Sequence, residues 1–515
     1  MIDGLNVPQV AALPSPRFFT ELLDEPQLLF AGNHPGTDPK VGLAAAGPAD
    51  LETPNHPKQI PIGIIGTGAT RERAIDWVQL CGREIAGKKD KPRQVPPFPG
   101  FNSSSPFKSE FQVADSPLGI ITSTELQNIL RQTDYEDGFR AAVSLISGKI
   151  QLMVEESPAI KVLLCALPTE IVEYCLAAGR QLRSEGMNSK PDRLFAKLAR
   201  IEESTGQQNM LSSLFEAGAG YTDFVGRNLR RALKAQSMRW QRPLQLARED
   251  SLLSAGRSQH AATKAWNFCT AMYYKAGALP WKLEGLDPDS CFVGVSFYRH
   301  INEQSFEMHT SLAQVFTGYG DAFVLRGHKF SWPYDRRSPH LSQEGARNLV
   351  LLVRQKYDEW KKRPPSRIIV HKTSKFYEDE LAGFKEGLAG ISQYDLLSIQ
   401  QTGVRLFREG AYPPLRRTFF EVNEQASFLY TNGYLPELGT YPRGYVPEPF
   451  ELIDHHGDST PRRLSKEILA LTKMNYNNAD IADGEPITIK FARKVGEIMS
   501  YMSEGEPERH YRFYM

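Results

Sequence analysis

The feature that most limits the folds open to this chain is a change of rhythm near residue 285. Upstream, apolar runs alternate with helical patterns. "IPIGIIGTGATRERAIDWV" reads as strand, glycine turn and helix, and "IKVLLCALPTEIVEYCLAAG" as strand and helix, with Pro168 suited to a first helical turn. Such alternation predicts a parallel α/β domain. Downstream, "CFVGVSFYRH", "SFEMHTSLAQVF" and "DAFVLRGHKFSW" predict three successive strands. A helix follows, with Ser342 as N-cap and Pro364-Pro365 as its stop. Then come a strand, "RIIVH", and a helix with Leu381, Phe384 and Leu388 on one face.

A chain of 515 residues is too long for one core. The shift in rhythm divides it into a Pro-punctuated lead-in (1–24), a first domain (25–285) and a second domain (286–515). Three meandering strands, helix, strand, helix is the order of the ribonuclease H fold. Residues 88–107 hold five prolines and predict an extended loop, and the polar stretch 183–220 predicts a helical excursion or insertion. With 41% hydrophobic residues and a formal net charge of +1, composition is that of an ordinary globular protein, and nucleic-acid binding would rest on a local basic patch. The five cysteines lack metal spacing and predict reduced, buried thiols in a cytoplasmic protein. No apolar run approaches the roughly 18 residues of a membrane span, and the N-terminus does not read as a secretory signal.

Several stretches carry candidate chemistry. The turn Gly66-Thr67-Gly68 fits either a dinucleotide loop or a plain strand-to-helix turn; Arg71 at the third glycine position favours the turn. "RNLRRALKAQSMRWQRPLQLAR" (227–248) holds seven Lys or Arg and no acid. Arg227, Arg230, Arg231 and Lys234 sit at helical spacings, Pro243 ends the helix, and Gln245 lies on a following strand. The cluster suits a phosphate, and a solvated basic face fits equally well. Lys275 closes an apolar helix, where the dipole favours it. Near the C-terminus, Phe491, Val495, Ile498 and Met502 form a core stripe that leaves Lys490, Arg493 and Lys494 for another face, suited to a row of phosphates. The aromatic tail "HYRFYM" predicts a docked end. Two-metal phosphodiester hydrolysis needs converging carboxylates. The first strand of the second domain offers Ser296 instead, "HKT" offers Thr373 with Lys372 beside it, and the late element offers Asn477. A nearby lysine and neutral side chains disfavour divalent metals.

Together these residues resemble a short prokaryotic Argonaute, a MID and a PIWI domain without N and PAZ domains. The resemblance rests on "EPQLLFAG", "DPKVGLAAAGP", "IPIGIIGT", "LKAQSMRWQRPLQL", "YYKAGALPWKL" and "LTKMNYNNADIADGEPITIKFARKVGEI". It implies a Rossmann-like MID domain followed by a ribonuclease H-like PIWI domain. In that family a Tyr, His or Arg four residues before a Lys, a Gln eleven residues later and a second Lys grip a guide 5′-phosphate. Arg230, Lys234, Gln245 and Lys275 match. The resemblance further implies Mg²⁺ at the guide phosphates, with help from Gln245 and the C-terminal carboxylate of Met515, and guide-backbone contacts from Lys490 and Arg493. It implies a degenerate acidic tetrad at Ser296, Thr373 and Asn477, hence no slicing. The expected function is a guide-RNA-binding subunit that recognises single-stranded DNA of plasmid or phage and activates an APAZ-bearing effector. That effector would be a TIR NADase first, or a sirtuin-like enzyme or nuclease, with a higher oligomer forming on activation. The rival readings are a guided nuclease with an irregular metal site and a nucleotide-binding α/β enzyme built on Gly66–Gly68.

Overall fold

The computed structural model describes residues 18–175, 228–252, 259–287, 289–298, 307–316, 322–331, 339–408, 410, 413–441, 446–481, 483–502 and 510–515. The stretch 183–220 and Arg227 lie outside them.

The chain enters along Phe18–Leu22 (β1), then the short strands Leu28–Leu29 (β2) and Pro35–Gly36 (β3) and the helix Pro39–Ala46 (α1). The first unit is built on Gln59–Gly66 (β4), Glu110–Val113 (β5), Val162–Leu167 (β6) and Leu244–Arg248 (β7), in the spatial order β5-β4-β6-β7. All three pairings are parallel, as the alternating pattern predicts. β6, "VLLCAL", is buried along its whole length because a parallel sheet is covered on both faces. Val162, Leu164 and Ala166 face one core with Trp77 and Trp266; Leu163, Cys165 and Leu167 face another with Ile146 and Met153. The covering helices are Gly68–Cys81 (α2), Ser123–Leu130 (α3), Tyr135–Glu156 (α4), Leu229–Met238 (α5) and Ala261–Lys275 (α6). The glycine turn after β4 is packed shut. A Cβ at Gly66 would lie 2.5 Å from Thr70 Oγ1, and Arg71 donates to the carbonyls of Ile64 and Ser116 (3.2 and 2.8 Å).

After Lys282–Leu283 (β8), which pairs with β2, the second unit begins. Its strands are Ser290–Tyr298 (β9), Glu307–Phe316 (β10), Ala322–Ser331 (β11), Arg367–Lys372 (β12), Gln393–Gln401 (β13), Thr418–Val422 (β14), Ala426–Leu429 (β15) and Phe450–Gly457 (β16). Its helices are Gln343–Lys361 (α7), Glu378–Gly387 (α8), Pro461–Leu471 (α9) and Ile487–Met499 (α10). Among the described residues they form a nine-stranded sheet, β1-β14-β15-β16-β13-β12-β9-β10-β11. β9, β10 and β11 are an antiparallel meander and β12 returns parallel to β9. This is the predicted ribonuclease H-like order. Ser342 caps α7, its hydroxyl accepting from Gly345 N at 3.1 Å, and Lys362, at φ 59°, ends it.

The lead-in expected over 1–24 is corrected at its end. Phe18–Leu22 is an edge strand of the large sheet, paired antiparallel with β14 about 400 residues later. Glu25, just beyond it, forms buried ion pairs with Arg416 (3.1 Å) and Lys473 (2.6 Å). At the other end, α10 lies across β9 and β12. Ser296 donates to Ala492 O (3.0 Å), and His371 Nδ1 lies 2.8 Å from Thr488 Oγ1. The approach is so close that a Cβ at Gly294 would sit 2.0 Å from Thr488 O, which requires glycine there. One apolar cluster therefore runs from Leu28 and Trp266 through Phe292 and Phe491 to Met515, across both units. The five cysteines are buried and are not joined in disulfides. Among the described residues no helix is long and apolar enough to cross a membrane.

Candidate nucleic-acid interface

The basic stretch folds as the sequence predicts and adds a partner that the sequence does not show. Asn228 caps α5, accepting from Arg231 N at 3.2 Å, and Arg230 and Lys234, one turn apart, share a face. The Lys234 side chain is buried. Its ammonium donates to Tyr514 O at 3.2 Å and to the Met515 oxygen. Pro243 leads into β7, which sets Gln245 half-buried beside the end of α6. There the buried ammonium of Lys275 donates to Gln245 Oε1. Arg230, Lys234, Gln245, Lys275 and Met515 thus gather in one place.

The added partner is Lys494 on α10. The basic run around it was legible, but its direction was not, because α10 turns that side toward α5 only when the two helices pack. Arg231 pairs with Glu497 (2.7 Å) and fastens the contact.

The electrostatics of this cluster are those of cations kept close together. Burial first, then Arg230 and Lys494, push the Lys275 pKa down to about 7. Lys494 is likewise lowered to about 7, by burial, Lys490 and Arg230, with Asp483 and Glu497 opposing. Lys234 falls well below the ordinary lysine value through burial and then Arg230, Lys275 and Lys494. Arg230 is lowered by surrounding protein, then by Arg231 and Arg248, against Glu497. Arg230 is nevertheless exposed. An anion entering here would meet ready donors and relieve mutual repulsion.

Lys490 and Arg493 are placed differently from the open face the sequence assigns them. Lys490 pairs with Asp483, and Arg493 with Glu485 at 2.7 Å; each of these two basic side chains is 13% exposed. Both acids lie in the loop that feeds α10, so the helix enters with these basic groups already engaged.

The three positions expected to mark a degenerate acidic tetrad occupy distinct surroundings. Ser296 faces α10, as its bond to Ala492 shows, and Thr373 follows β12, its carbonyl accepting from Gln400 Nε2 at 2.6 Å. Asn477 sits in the loop after α9. Its neighbours there dock on the first unit: Tyr476 OH donates to Trp281 O (3.0 Å) and Ala479 N to Asn267 Oδ1 (3.0 Å). The expectation that Lys372, beside Thr373, would repel metal ions at that position is also corrected. Consecutive strand residues point to opposite faces. His371 meets α10, whereas Lys372 is buried on the other side in an ion pair with Glu380 and lies 4.7 Å from the Phe376 ring centroid.

This arrangement, a parallel α/β unit joined to a ribonuclease H-like sheet, is the MID–PIWI architecture. No family model matches the chain. Over 236 residues, 45% of this chain and 31% of the relative, it is 24% identical to the Protein argonaute of Aquifex aeolicus. Clostridium butyricum Argonaute, solved with a guide DNA and a 19-mer target DNA, superposes with a TM-score of 0.57 at 12% identity, over 95% of this chain and 54% of that one. Drosophila Piwi superposes with a TM-score of 0.54 at 11% identity, over 96% and 56%. The chain is Argonaute-like, and it spans about half the length of these solved structures.

Proposed function

We propose that this chain grips the 5′-phosphate of a small RNA guide and uses it to recognise single-stranded DNA of invading plasmids or phage. The observation that carries the reading is the convergence of Arg230, Lys234, Lys275 and Lys494 near Gln245, with pKa values lowered by burial and then by neighbouring cations. A terminal phosphate would add negative charge and further acceptor oxygens to this cluster of cations. The amide oxygen of Gln245 and the Met515 oxygen are hard donors of the kind Mg²⁺ takes, so these two would hold that ion, which would neutralise guide phosphate. Sequence specificity then comes from base pairing, while the protein supplies backbone contacts.

The short MID–PIWI resemblance supports the rest. With Ser296 and Thr373 in place of carboxylates, this chain binds without cutting. Duplex formation switches on a separate APAZ-bearing effector, a TIR NADase in the first instance or else a sirtuin-like enzyme or nuclease, with assembly into a higher oligomer. The outcome is abortive defence.

The test compares 5′-phosphorylated with 5′-hydroxyl RNA and DNA strands bound to the purified chain. A strong preference for phosphorylated RNA is expected, and equal binding of all four would defeat the reading. Incubation with guide, complementary target and Mn²⁺ should leave the target intact; cleavage at a guide-defined position would overturn the non-cutting role.

A further inference from the structure

In the second unit, the buried cations Lys372, Arg367 and Arg416 each have a carboxylate. Arg326 does not. It lies on β11 opposite Ser311 of β10, and Ser311 is in turn opposite Ser296 of β9. Directly paired residues of antiparallel strands project to the same face. Ser296 and Arg326 therefore leave the sheet on one side, and the bond from Ser296 to Ala492 O identifies it as the α10 side. The parity of β11 agrees. Val324, two residues earlier, belongs to the core with Phe491 and Val495 of α10, while Leu325 belongs to the core beneath α7. Two strand spacings separate Arg326 from Ser296, about 10 Å.

The guanidinium Nε and Nη2 of Arg326 are buried and have no hydrogen-bond partner, although the residue as a whole keeps partial exposure. Unmatched buried donors on a charged group are costly and call for an acceptor from outside. Nε and Nη2 together form the planar edge with which arginine takes two oxygens of one anion. The helix on this side, α10, also carries Lys494 into the basic pocket. A polyanion with its end in that pocket can present further phosphates along the same helix.

We propose that Arg326 holds a phosphodiester group of a nucleic-acid backbone on the α10 side of the large sheet, in the row that begins at Ser296. This rests on the guide-and-target reading above. The phosphate would belong to the guide or to the target, and two binding arms separate them: a 5′-phosphorylated strand alone, and the guide-loaded protein with a complementary target.

The variants are Arg326→Gln and Arg326→Lys, measured across a salt series and by thermal melting. Arg326→Gln should weaken binding by about ten- to a hundredfold, as expected for charge-assisted bonds. It should also reduce the slope of log K against log salt by about one. Loss in the first arm assigns the guide phosphate, and loss confined to the second assigns the target. The melting temperature should stay level or rise, since an unmatched buried cation has been removed. Arg326→Lys should restore the slope without the full affinity. Unchanged affinity and slope in both arms, in a protein that still prefers a 5′-phosphate, would overturn this inference alone. A melting temperature lowered by Arg326→Gln and recovered by Arg326→Lys, with binding unaltered, would make the residue structural and overturn it as well. Wild-type protein that binds neither strand overturns the pocket reading and this inference with it.

Discussion

The two basic regions of the molecule treat buried charge in opposite ways. In the large-sheet unit Lys372 has Glu380, Arg367 has Asp395 and Glu467, and Arg416 and Lys473 share Glu25. In the pocket of the first unit, burial first and then neighbouring cations, Arg230 among them, lower Lys234, Lys275 and Lys494. Among the described residues no Asp or Glu pairs with Lys234 or Lys275, which donate to Tyr514 and Met515 oxygens and to Gln245. Matched cations are what a fold keeps to stay closed. Under the proposed function a phosphate would relieve the crowded cations, and Arg326, whose Nε and Nη2 have no partner among the described residues, would take one inside the unit that otherwise pairs its cations.

The sharpest way to break this contrast is to remove the pocket's donors. Lys234→Ala with Gln245→Ala should weaken binding of a 5′-phosphorylated guide by about 3–6 kcal/mol, from two charge-assisted hydrogen bonds. Preference over the 5′-hydroxyl strand should go with it, while thermal melting stays close to wild type. Titration of both strands by fluorescence anisotropy checks the first point.

In the matched region the same kind of change should act on stability. Glu380→Ala leaves Lys372 buried without its carboxylate and should cost about 3–5 kcal/mol in denaturant unfolding. The joint change Lys372→Met with Glu380→Leu should recover most of that loss. If Glu380→Ala proves neutral, the contrast between the regions fails.

The pH dependence should separate them next. Lys275 and Lys494 have folded-state values of about 7 against an ordinary 10.5, so between those limits the unfolded chain holds protons that the folded chain has released. Stability of the unliganded protein should therefore rise with pH across that interval. Affinity for a phosphorylated strand should move the other way, falling by well over tenfold between pH 7 and 9 as the lysines lose their charge. Melting curves and binding isotherms on the same samples check both signs.

The smallest effect is expected where basic residues are already engaged. Asp483→Asn with Glu485→Gln frees Lys490 and Arg493. It should tighten binding of an unphosphorylated strand a few-fold and steepen the salt slope by about two.

Local pattern carried much of this architecture. The three-strand meander, the Ser342 cap and the helix-to-strand step from Lys234 to Gln245 are all set by neighbours in sequence, and they fold as read. What escaped depends on distant segments. Nothing near Phe18 signals a partner at Val422, and nothing near Lys494 signals that α5 will lie opposite. Strand parity hid a third point, since His371 and Lys372 are adjacent in sequence yet belong to opposite faces. Lys490 and Arg493 looked available because the helical pattern shows which side avoids the core and says nothing of acids in the preceding loop.

The apolar cluster that runs from Leu28 to Met515 has a mechanical consequence. Swinging the units apart would expose apolar side chains that both contribute to one core, so heating should melt them in a single cooperative event.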